Sequence, residues 1–126
     1  MTDEGAQLTL RVDDEEADPE ELAELALRLR RELLGLDVER VELLRVGEPP
    51  PGTRAVDLVA LGTLLVTFAK PELLVGVVAA IQAWLAGSRQ RSVKVTLDGD
   101  VLELTGLSSK EQRRVADEWL GRHAKG

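Results

Sequence analysis

The stretch that decides the fold is residues 58–87, LVALGTLLVTFAKPELLVGVVAAIQAWLAG. It carries only two charged residues, Lys70 and Glu72, one on each side of Pro71. The uncharged runs before Lys70 and after Glu72 are 12 and 16 residues long. A helix that spans a bilayer needs about 20 apolar residues. Proline suits the first turn of a new helix. We therefore predict two helices that pack as an apolar hairpin over residues 55–87.

Three environments fit such a hairpin. It can form the buried core of a soluble domain, present an apolar face to a protein partner, or lie in a membrane as a re-entrant or interfacial element. A continuous membrane span would place two charges near the bilayer centre, at a cost of about 3 kcal/mol each. We favour the buried pair, and membrane contact is the less favoured alternative.

Upstream of the hairpin, the pattern indicates a strand, a helix and a second strand. Residues 7–12, QLTLRV, alternate between apolar and polar, which is typical of a strand with one buried face. The following helix begins with Asp18, Pro19 and Glu21, the residues of a capping box. A second strand over 38–46 suggests a right-handed crossover and a parallel pair. The proline-rich residues 47–53, GEPPPGT, form a stiff connector.

Downstream of the hairpin, the pattern indicates two strands and a last helix. Residues 91–106 alternate around Asp98-Gly99, the sequence that favours a type I′ turn. Ser108 and Glu111 have capping-box spacing before the terminal helix. The order is β-α-β-α-α-β-β-α. We predict one α+β domain over residues 1–126, a two-layer sandwich with a four-stranded mixed sheet and the helices on one face.

Composition narrows the function classes. The 126 residues carry a net charge of -7, which argues against a nucleic-acid partner. The acidity is uneven, because residues 1–48 hold 15 acids and 6 bases, a net of -9, against +2 for the remainder. Cysteine is absent, so thiolate metal sites and disulfides are excluded. With no secretory pattern in the first residues, MTDEGAQL, we expect a cytoplasmic protein.

No catalytic constellation is evident in the sequence. The only histidine, His123, lies near the end of the terminal helix, where a cation complements the helix dipole. We predict no catalytic residue, no metal and no cofactor. The candidate partner interface combines two tryptophans, a residue type common at binding hot spots, with a small basic cluster. Its residues are Trp84, Arg89, Arg91, Lys94 and Trp119. Core packing is the alternative role for both tryptophans.

The chain also resembles a known family. The features that carry the likeness are the proline-rich lead PPPGT, the apolar segment ending in WL, the arginine-rich joint SRQR and the hairpin SVKVTLDGDVLELTG. They resemble the effector-associated constant component family of bacterial NTP-dependent conflict systems. The resemblance implies a small non-enzymatic α+β module with no catalytic residues.

The same resemblance implies a role and partners. It suggests an adaptor or regulatory module that links a protein effector, such as a trypsin- or caspase-like protease, to NTP-dependent signalling in bacterial defence. The partner would be the effector or an NTPase component, and an oligomer stays open. The alternative function is a peripheral membrane-associated sensor that uses the apolar hairpin 58–87.

Overall fold

The computed structural model describes residues 6–43, 62–107 and 109–124. Within these ranges the chain forms five strands and three helices in the order β-α-β-β-α-β-β-α. Numbered in chain order, the elements are β1 (Ala6–Asp14), α1 (Pro19–Leu33), β2 (Arg40–Leu43), β3 (Thr63–Phe68), α2 (Leu73–Leu85), β4 (Arg91–Leu97), β5 (Asp100–Thr105) and α3 (Lys110–His123).

The strands form one sheet with the order β2-β3-β1-β4-β5. Every neighbouring pair is antiparallel. The prediction of an α+β fold is confirmed, but the prediction of four strands in a mixed sheet is wrong. β1 and β2 do run in the same direction, as the strand-helix-strand pattern suggested, but β3 lies between them and pairs with both. The expected parallel pair is therefore split by an inserted antiparallel strand.

The prediction of a helical hairpin over 55–87 is wrong where its first helix falls on described residues, and residues 55–61 lie outside them. Residues 63–68 form β3, with Leu64, Val66 and Phe68 in the core. Thr63, Leu65 and Thr67 point to the other face, where the two threonines are each only 6% exposed. A strand buried on both faces shows little alternation, so its apolar run resembles that of a buried helix. The second half, α2, is helical as predicted.

The apolar residues of all three helices meet one face of the sheet. That face carries alternate residues of every strand, since Leu10 pairs with Leu64 on one side and with Val95 on the other. Helix residues such as Leu29 and Ile81 are buried in the same cluster. The architecture is a two-layer sandwich within the described residues. None of the described helices combines the length and apolar character needed to cross a bilayer.

Local sequence signals account for most element boundaries. Asp18 accepts a bond from the Glu21 amide at 2.8 Å, and Glu21 accepts one from the Asp18 amide at 2.9 Å, which completes the predicted capping box. The turn between β4 and β5 has left-handed backbone at Asp98 (φ 52°) and Gly99 (φ 82°), as a type I′ turn requires. The cap of α3 is Ser109, one residue after the predicted serine. The predicted connector 47–53 lies outside the described residues.

Candidate interaction surfaces

Trp84 and Arg91 form the most distinctive surface pair. The end of α2 holds Trp84 half-buried, and the guanidinium carbon of Arg91 lies 5.5 Å from the centre of its ring. Arg91 Nε also lies 3.4 Å from Asp14 Oδ2, where the side chains are 33% and 12% exposed respectively. This contact joins the end of β1 to the start of β4 and fixes the cation over the aromatic face.

An acidic cleft of about 280 Å³ adjoins this pair. It lies where the end of β1, the first turns of α1 and the start of β4 meet. Four carboxylates and two guanidinium groups line it, so its charge is mixed with an acidic excess. The lining residues are Asp14, Glu16, Ala17, Glu21, Glu24, Leu25, Arg28, Gln90 and Arg91.

The other predicted basic residues lie elsewhere. Arg89 is exposed in the connection between α2 and β4, two residues before Arg91. Lys94 points to the face of the sheet opposite the helices, where its neighbours across the strands are Arg11 and Glu103. The predicted interface residues therefore divide between two sides of the molecule. Trp84, Arg89 and Arg91 share one side, and Lys94 lies on the other.

Trp119 is a core residue in this structure. It is fully buried beneath β5, and its indole Nε1 donates a hydrogen bond of 3.1 Å to the backbone oxygen of Asp100. Of the two roles left open for this tryptophan, packing matches its position. A partner could not reach the side chain without opening the core.

A polar cluster at the end of α3 was not identified in the sequence. The Asp100 carboxylate accepts bonds from Arg122 Nε at 2.8 Å and approaches His123 Nε2 at 2.7 Å. The bond from Arg122, and after it the one from His123, lowers the pKa of Asp100 below its ordinary value of 3.8. The hydrogen bond between Arg122 and Asp100 also raises the pKa of Arg122. More than twenty residues separate Asp100 from its partners, so local spacing carries no signal of this cluster.

His123 sits in this cluster as a structural contact. Its ring centre is 4.7 Å from that of Trp119, and its side chain is 15% exposed. Within the ranges 6–43, 62–107 and 109–124, no three acidic or histidine side chains are grouped so as to hold a metal ion. The arrangement ties the end of α3 to the β4–β5 turn.

Comparisons with known proteins supply no further assignment. No family model, no curated protein and no solved structure matches the chain.

Proposed function

We propose that this protein is a non-enzymatic adaptor or regulatory module that links a protein effector to NTP-dependent signalling in a bacterial conflict system. The effector would be a protease of the trypsin or caspase type, as the sequence resemblance implies. The partner would bind the surface around Trp84 and Arg91.

The observation that carries this proposal is the accessible Trp84–Arg91 pair. Tryptophan and arginine are the residue types most enriched among interface hot spots. Here Asp14 holds the arginine over the ring, so little side-chain freedom would be lost when a partner binds. The acidic cleft beside the pair would complement basic groups of that partner and fix its orientation.

The non-enzymatic part of the proposal rests on the chemistry of the side chains. Nucleophilic catalysis needs a nucleophile and a base held within hydrogen-bond reach of each other. The chain has no cysteine or tyrosine and a single histidine. That histidine contacts Asp100 and packs on Trp119, in an arrangement that supports the fold.

The membrane-associated alternative gains no support from the described residues. It required a helical hairpin over 58–87, but residues 63–68 form a strand. The apolar side chains on one face of that strand lie in the core. On helix α2 most of the large apolar residues are also buried, with Val75 as the exposed exception.

Affinity capture from the source organism tests the adaptor role. Tagged protein at native expression would be recovered with its partners and analysed by mass spectrometry. We expect an effector protease or an NTPase in fixed stoichiometry, lost with Trp84→Ala and with Arg91→Ala. The matched control is Arg114→Ala, because Arg114 is an exposed arginine whose partner among the described residues is Glu111 of its own helix.

Three outcomes would contradict the proposal. The first is recovery of envelope lipids or membrane proteins alone, which would return attention to the membrane alternative. The second is a partner that binds the Trp84 variant as well as the parent protein, which would move the interface. The third is hydrolytic turnover by purified protein that disappears with Asp100→Asn or His123→Gln.

A further inference from the structure

The outward edge of β5 presents unpaired peptide groups. The two-residue turn at Asp98-Gly99 closes on Leu97 and Asp100, which pair with each other. Hydrogen-bonding direction alternates along a strand from such a closing pair. Asp100, Leu102 and Leu104 therefore point their peptide groups toward β4. The peptide groups of the alternate residues, Val101, Glu103 and Thr105, point away from the sheet.

The contacts of Gln112 agree with this alternation, because its side-chain amide bonds to the outward peptide groups of Thr105 as a neighbouring strand would. Its Oε1 accepts a bond from the Thr105 amide at 3.1 Å, and its Nε2 donates one to the Thr105 oxygen at 3.2 Å. A neighbouring strand would make this same pair of bonds to an outward residue. The Gln112 amide therefore occupies the position of one peptide group of a sixth strand.

The next two outward residues have no such cover. In the described part of the chain, no group outside the sheet ladder bonds to the peptide groups of Val101 or Glu103. Both residues are exposed, with Val101 54% accessible. Two N–H and two C=O groups are therefore open to a partner, and only an extended chain offers matching groups at that spacing.

The opposite edge of the sheet is different. In the four residues of β2 that the structure describes, the Nε of Arg30 donates a bond of 2.7 Å to the Val41 oxygen. A side chain that covers an edge in this way discourages strand addition. The two edges are therefore not equivalent, and β5 is the better template.

Side-chain charge selects the kind of segment that fits. On its β4 side, Glu103 lies opposite Lys94, and Val101 lies opposite Thr96. From the open side of β5, no described residue forms an ion pair with the exposed carboxylate of Glu103. Cross-strand pairs favour opposite charges, and β-branched residues suit a neighbour such as Val101. A second copy of β5, with the sequence DVLELT, offers no cation to Glu103.

We propose that the open edge of β5 binds an extended basic segment of a partner protein by strand addition. The segment places Lys or Arg opposite Glu103 and a β-branched residue opposite Val101, and it ends where Gln112 covers Thr105. This inference deepens the proposed function and rests on it for the identity of the partner. The edge lies apart from Trp84 and Arg91, so an adaptor would have two separate contact surfaces.

A peptide that copies β4 is the direct probe. The end-capped peptide RSVKVTL has the sequence of β4, residues 91–97. Within the protein, β4 pairs with the inner edge of β5. The peptide would be titrated into the full chain labelled with nitrogen-15. We expect saturable shifts of the Val101 and Glu103 amides and slower hydrogen exchange at both. A peptide N-methylated at the positions of Lys94 and Thr96 has the same side chains but lacks two donors, and it should bind about ten-fold more weakly.

A charge swap at Glu103 gives a second test that does not depend on whether a proline variant of β5 folds. Glu103→Lys should weaken binding of the parent peptide by about two- to five-fold and restore it for a peptide with Glu in place of Lys94. Val101→Pro removes an outward N–H that makes no ladder bond, a change that edge strands accept, and it should also weaken binding.

Several results would overturn the proposal. These are equal binding of the N-methylated peptide, amide shifts confined to other elements, or no effect of the charge swap. Self-association of the free protein through β5, seen as Glu103-dependent dimers in analytical ultracentrifugation, would identify a second copy as the occupant instead. If affinity capture succeeds and the peptide test fails, only strand addition is lost. If the peptide binds and capture yields no effector or NTPase, the adaptor role fails while the edge site stands.

Discussion

The indole Nε1 of Trp119 donates a 3.1 Å hydrogen bond to the backbone oxygen of Asp100. The carboxylate of the same aspartate binds Arg122 and His123. One residue at the start of β5 is thus bonded by three side chains from the last two turns of α3. These three contacts hold α3 across the end of the β4–β5 hairpin.

Trp119→Phe should lower the free energy of unfolding by about 1 to 3 kcal/mol. The substitution keeps an aromatic ring but removes the N–H donor and leaves part of a fully buried site unfilled, and a lost hydrogen bond and a small cavity together cost about that much. Urea unfolding followed by circular dichroism measures the change. Val115→Ala on the exposed side of the same helix is the control and should stay within about 0.5 kcal/mol. Equal losses for the two variants would contradict a structural role for the indole bond.

Asp100 should make stability depend on pH in the acid range. The pKa of its carboxyl is lowered in the folded protein by the bonds from Arg122 and His123. A lowered pKa stabilises the fold above the unfolded value, near 3.8, and that stability is lost as pH falls through the folded value. Asp100→Asn should therefore be less stable than the parent at pH 7, and the difference should shrink below about pH 4.

The measurement is the urea midpoint of both proteins at steps between pH 7 and pH 2.5. The control is Asp117→Asn, because Asp117 is an exposed aspartate on α3, the helix that carries Arg122 and His123, and it should change the midpoint little at any pH. A gap between Asp100→Asn and the parent that stays constant down to the lowest pH would show that ionisation of this carboxyl is not its source.

Substitutions at two adjacent residues distinguish strand from helix at β3. Val66 is fully buried, while Leu65 is half-buried on the other face, opposite Glu42. Val66→Lys should lose at least about 3 kcal/mol of stability, because it buries an unpaired charge. Leu65→Lys should change stability by about 1 kcal/mol or less, since its ammonium group can reach solvent and the glutamate. Thermal unfolding of both variants checks this, and comparable losses would contradict the strand.

Two glycines should respond in opposite directions to alanine. A Cβ at Gly106 would collide with the backbone oxygens of Ser88 and Leu85, so Gly106→Ala should cost about 1 to 3 kcal/mol through overpacking. At Gly76, inside α2, a Cβ meets nothing within 4 Å. Gly76→Ala should therefore stabilise the protein by about 0.5 to 1 kcal/mol, because glycine is the weaker helix former. Calorimetric melting temperatures that move in the same direction would refute this difference.

Features set by neighbouring residues were predictable. The capping box of α1 needs only Asp18 and Glu21 at the right spacing, and the β4–β5 turn needs only Asp98-Gly99. Each signal acts within a few residues, so no knowledge of the fold is needed to identify it. The apolar alternation of β1, β4 and β5 is equally local, since one face of each meets the core.

The candidate surfaces were predictable only in part. Arg91 and Trp84 are seven residues apart, and both were selected by residue type, but the contact between them depends on how β4 follows α2. Trp119 was selected on the same grounds and is buried. Residue type alone does not distinguish a tryptophan under a sheet from one at its rim. The Gln112 cover of β5 also joins two elements, so its role is visible only after both have packed.

By itself, the sequence determined the two-layer α+β class, the capping box that begins α1, the tight hairpin and the supply of apolar residues for a core. The tertiary structure decided the identity of residues 63–68 and the order of the sheet. Those residues lie between β1 and β2 in the sheet, and their side chains are largely buried on both faces. A segment that is buried on both faces needs no polar face. Without alternating polar residues, the hydrophobic period of its sequence does not distinguish a strand from a helix. Only the pairing of its backbone with two neighbours distinguishes them.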